Sequence, residues 1–171
     1  SFMKYLKRSK TTEADTIVKK MTAGAKSYFT SEQSYSPSTG GDQPWHSSGT
    51  NGMPVPFTGY VFPGGTSFSL DSTGSAPKNG AKYVPNSTTM GTGNATTAAA
   101  VNKLNFGLGD PLYFQYTYSS DGTGQDASAT SNAIADFDGG GTPNHTVTQS
   151  ISANSDQTVK IIPAYTTNEF K

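Results

Sequence analysis

Asp136 and Asp138 stand two positions apart and run into the glycines 139–141. A calcium loop begins in this way, with hard oxygen ligands at alternate positions of a glycine-containing turn. Asp136 and Asp138 are therefore the candidate metal ligands, and calcium the candidate cofactor. A third acid at the same spacing falls on Gly140, so Asn144 or backbone carbonyls would have to substitute. An ordinary β-turn accounts for the same residues, because Asp and Gly are favoured there for conformation alone. Elsewhere the chemistry is thin. His46 and His145 are the only histidines and the chain has no cysteine, so neither a thiol nucleophile nor a histidine acid–base pair is supported. The chain reads as a non-enzyme.

The second group is basic: Lys4, Lys7, Arg8 and Lys10. Residues 1–30 carry seven Lys and Arg against Glu13 and Asp15, a net +5, and residues 31–171 carry five against ten acids, a net −5. The whole chain is neutral, which argues against a general nucleic-acid binder. Opposite charges on two parts of one molecule suit packing between identical copies. Trp45 and His46 form the third group. Either they recognise a surface, since aromatic residues make effective contacts, or they anchor a loop to the body.

Three segments must position these groups. Ala14, Ile17, Val18, Met21, Ala25 and Tyr28 recur at spacings of three and four, one apolar stripe on a helical period. This predicts a helix over residues 1–35 whose later part packs on a sheet. Phe2, Met3 and Leu6 form an earlier apolar patch that should project away. Gly24 reads as a weak point, costing about 1 kcal/mol against Ala in a helix interior. Residues 36–111 lose this periodicity and are punctuated by turn signals such as Gly40-Gly41, Asn51-Gly52 and Asn79-Gly80. They read as one long connecting loop pinned by its aromatics, with short strands around 60–70.

Residues 112–163 carry the β signal. Leu112, Phe114, Tyr116 and Tyr118 face one way, and Tyr113, Gln115 and Thr117 the other. Ala127, Ala129, Ser131, Ala133 and Ala135 give a face of small residues that lets another element approach closely. Val147 and Ile151, then Val159 and Ile161, complete an antiparallel meander, and 164–171 is a tail. The expected fold class is α+β: a long N-terminal α-helix packed on an antiparallel sheet of about four strands, in a single domain spanning 1–171. With only 32% hydrophobic and 14% charged residues against 19 Gly, the polarity is carried by Ser, Thr, Asn and Gly. That is the composition of a loop-rich exposed β protein, not of a charged disordered chain.

In that order, four phrases resemble the type IV pilins, particularly those of deltaproteobacterial type. Ser1-Phe-Met-Lys-Tyr-Leu-Lys-Arg-Ser-Lys-Thr-Thr-Glu-Ala14 looks like the stretch following the family's hydrophobic N-terminal segment. Ala81-Lys-Tyr-Val-Pro85 resembles the end of its long loop, and Asp110-Pro-Leu-Tyr-Phe-Gln-Tyr-Thr-Tyr118 its first sheet strand. Asp136-Phe-Asp-Gly-Gly-Gly141 resembles a turn usually written Asp-Leu-Asp-Gly-Asp-Gly. The resemblance implies a pilin-like ectodomain lacking a hydrophobic half-helix that anchors the subunit in the inner membrane before assembly. It implies a structural subunit of an extracellular pilus at the cell surface, used for adhesion, twitching motility or DNA uptake. Its partners would be other copies, related pilins and the pilus assembly machinery. Phe2, Leu6, Lys7, Arg8, Glu13 and Asp15 would be the filament contacts. The alternatives are a pseudopilin of a type II secretion system and an adhesive minor pilin binding a ligand through loop 36–111. The third acid of the turn and a C-terminal cysteine pair are departures from the family pattern.

Overall fold

The computed structural model describes residues 2–33, 53–63, 68–69, 82, 104, 111–138, 142 and 144–167; within these, the side chains of 2–4, 6, 7, 68 and 69 lie outside the description. One helix, α1 (Phe2–Thr30), precedes six strands: β1 (Phe68–Ser69), β2 (Gln115–Asp121), β3 (Ser128–Ala135), β4 (His145–Ala153), β5 (Val159–Ile161) and β6 (Tyr165–Thr167). Every pairing is antiparallel. The spatial order is β1-β2-β3-β4-β5, with β6 also on β4. The fold is α+β.

Helix α1 has 29 residues, roughly 43 Å at 1.5 Å per residue. Threonines suit a helix poorly, but here Thr16, Thr22 and Thr30 donate their hydroxyls to the carbonyls of Thr12, Val18 and Lys26, four residues back. The helix ends at Thr30, five residues short of the expected boundary. At that end Ser31 donates its N–H to the Ser27 carbonyl, in the i→i−4 ladder, and its hydroxyl, at 2.6 Å, satisfies the Tyr28 carbonyl. Ala14, Ile17, Val18, Met21, Ala25 and Phe29 are buried. Tyr28, expected in that stripe, is half-buried, and Phe29 takes the core position.

The small-residue face of β3 explains how close the helix comes. Ala129, Ser131, Ala133 and Ala135 are all buried, and α1 lies across β3 and β4. Larger side chains on β3 would hold the helix off the sheet. Leu112, Phe114, Tyr116 and Tyr118 join the same core. Gln115, expected on the solvent side, is fully buried, so that side of β2 is covered at its start.

Three further expectations are corrected. Gly24 is a close-approach point, not a defect: a Cβ built there would overlap the backbone carbonyl of buried Leu104. The tail contains β6, whose Tyr165–Thr167 pair with Thr146–Thr148 of β4. Its burial pattern, exposed at both ends, gives the sequence no apolar alternation to signal a strand. Ile161, expected inward, is 38% exposed, because β5 is three residues long and lies at the sheet edge.

Residues 53–63 are pinned by aromatics and by one glutamine. Phe62 stacks on Phe29 with centroids 4.4 Å apart, and Phe57 and Tyr60 meet the same ring edge-on. Buried Gln33 makes a two-way amide pair with Val61, donating Nε2 to its carbonyl and accepting its N–H, while its own carbonyl accepts from Val55. Residues 53–63 are therefore held against the C-terminal end of α1.

Candidate functional site

Tyr5 is 70% exposed, and Arg8 and Ser9 are exposed. Among the described side chains of α1, Lys10 is the next along, and its ammonium sits 4.4 Å from the centroid of the Tyr113 ring. Lys82 approaches the same ring at 4.9 Å. Each such cation–π contact contributes on the order of 0.5–1 kcal/mol at an exposed site. One turn on, Glu13 accepts the Tyr116 hydroxyl at 3.0 Å and the Tyr113 N–H at 3.2 and 3.3 Å. Burial raises its carboxyl above the usual glutamate range, and the hydrogen bonds from Tyr116 and Tyr113 only partly offset that.

These contacts sort the expected filament-contact residues. Glu13 is turned inward and ties the helix to the first residues of the sheet. Asp15 is engaged within the chain by Lys19 at 2.8 Å, an exposed i,i+4 pair of a few tenths of a kcal/mol. Arg8 remains exposed on the projecting turn. The side chains of Phe2, Leu6 and Lys7 lie outside the described residues, although their backbone is helical. Trp45 and His46 lie outside them altogether.

At the acidic turn, Asp136 is buried and Asp138 exposed. Asn144 accepts the Phe137 N–H on its side-chain oxygen at 3.0 Å and donates its own N–H to the Ala135 carbonyl. Asn144, the substitute ligand expected from the sequence, thus braces the turn. Among the described residues, no three His, Asp or Glu side chains gather into a group able to hold a metal ion. His145, beside this turn, is buried against Phe114 and Phe137, with its Nε2 3.3 Å from the Thr11 hydroxyl. It is a core residue facing the helix.

No family model, curated protein or solved structure matches this chain.

Sequence reasoning did not anticipate a groove of about 480 Å³ between the second half of α1 and the β4–β5 edge. Lys19, Thr22, Ala23, Lys26, Gln149 and Ile161 are among its walls. Beneath it runs a polar seam in which Thr22 lies 3.4 Å from the Ser131 hydroxyl, and Ser131 pairs in register with Gln149. Gln149 is 7% exposed, and its side-chain oxygen has no hydrogen-bond partner among the described residues. A glutamine in the middle of a strand could have signalled this seam, because Val147 and Ile151 put position 149 on the helix-facing side.

Proposed function

We propose that this chain is a structural filament subunit of the type IV pilin kind, assembling through its N-terminal helix into an extracellular filament. One observation carries the reading. A single helix is divided between two environments: residues 14–29 are embedded on the sheet, whereas Tyr5, Arg8 and Ser9 stand outside the body. Among the described residues the domain leaves these three side chains exposed; contact with neighbouring copies would cover them. The clasp of Lys10, Glu13, Tyr113 and Tyr116 sits at the point of exit and fixes the direction in which the helix leaves.

The order of parts agrees with the pilin resemblance: helix, long connection, then an antiparallel sheet laid against the helix. Among the described residues no helix is long and apolar enough to cross a membrane. Negative-stain electron microscopy of source cells lacking the gene tests the proposal. Loss or marked shortening of surface filaments is expected. Filaments unchanged in number and length would refute it.

A further inference from the structure

The groove beside α1 has the size of a binding site for a small segment, about 480 Å³, and its polar groups are specific about what would fill it. Among the described residues the buried side-chain oxygen of Gln149 has no hydrogen-bond partner, and such an acceptor is satisfied by a donor such as a backbone N–H. Lys19 is already held by Asp15. Lys26 is exposed and makes no ion pair among the described residues, so it is the uncompensated cation of the groove. Ala23 and half-exposed Ile161 supply apolar contact. The fitting occupant is a narrow acidic segment with free backbone N–H groups.

The chain carries an acidic segment in which the Gly122, Gly124 and Asp126 N–H groups are bonded within the chain, while those of Thr123 and Gln125 make no bond among the described residues. Between β2 and β3 the tip Asp121-Gly-Thr-Gly-Gln-Asp126 presents both aspartates to solvent, and neither is ion-paired among the described residues. Its two glycines hold positive φ, 73° at Gly122 and 58° at Gly124, which keeps the tip narrow and pre-formed. The Gly124 N–H is bonded to the Tyr60 carbonyl at 2.8 Å, which holds the tip against the Phe57–Thr58 backbone of its own chain. We infer that the groove receives the β2–β3 tip of a second copy, with an aspartate of the tip against Lys26 and the Thr123 or Gln125 N–H on Gln149. This rests on the filament-subunit reading and gives it a contact between heads, separate from the projecting helix.

Sedimentation velocity of the 171-residue chain over a concentration series at low ionic strength tests the pairing, with circular dichroism checking that each variant folds. Wild type should self-associate. Lys26→Glu alone, or Asp121→Lys with Asp126→Lys, should weaken association about tenfold or more. An equimolar mixture of the two charge-reversed proteins should restore it. A wild type that stays monomeric, reversed variants that associate like wild type, or a mixture that fails to recover would each overturn the pairing. So would hexaglutamate competing as well as the chain itself, since the groove would then be a general acidic-peptide site. The filament reading is judged independently by the gene deletion, so the failure of either is distinguishable.

Discussion

Replacing Gly24 by Ala sets two effects of known size against each other. In a solvated helix interior, Ala is favoured over Gly by about 1 kcal/mol. Here the new methyl would overlap the Leu104 carbonyl, with the carbonyl carbon 2.7 Å and the Cα 2.9 Å away. Backbone cannot rotate aside as a side-chain tip can, so Leu104 must retreat. Its side chain is 1% exposed, and giving up that burial costs about 1.5–3 kcal/mol. Steric loss exceeds the propensity gain, and Gly24→Ala should destabilise the chain by about 1–2 kcal/mol. Ala23→Gly, one residue earlier on the exposed side, isolates the propensity term and should cost about 1 kcal/mol. Equilibrium urea unfolding measures both. A Gly24→Ala protein more stable than wild type would refute the close approach of residue 104 to the helix.

Two other substitutions probe the helix–sheet contact. Glu13→Gln keeps an acceptor for Tyr116 and Tyr113 and removes a carboxyl whose folded-state pKa is raised by burial. The folded protein therefore holds that proton more tightly than the unfolded chain. This contribution to stability is complete below the unfolded value near 4.5 and is lost as pH rises through the folded one. Glu13→Gln should flatten that part of the pH–stability curve, whereas Glu13→Ala should cost on the order of 1–3 kcal/mol by leaving buried donors unpaired; thermal melts between pH 3 and 8, by circular dichroism, measure both. Phe29→Ala removes the ring stacked on Phe62 and met by Phe57 and Tyr60, so it should cost about 3–5 kcal/mol. Tyr28→Ala should cost less in the same urea titration, because Tyr28 is only half-buried.

What could be read from the sequence was what depends on local period. Alternation along 112–118 and the small residues at 127–135 place their core faces directly, and the stripe from Ala14 to Ala25 does the same for the helix. The final slot was ambiguous because spacings of three and four both fit a helix, and Phe29 takes the core position beside Tyr28. Residues whose role depends on distant partners were not legible. Glu13 looks like a surface acid until Tyr113 and Tyr116, about a hundred residues on, are brought to it. Gly24 and Gln33 are explained by Leu104 and Val61 in the same way. The groove is harder still to foresee, since it is the space left where a three-residue edge strand faces the small and polar side of the helix.

Mass spectrometry of filaments sheared from the surface of the source cells and purified by sedimentation tests the central claim most directly. Peptides of this chain should be a major constituent, co-sedimenting with filaments seen by electron microscopy. Purified filaments free of this chain would contradict the account.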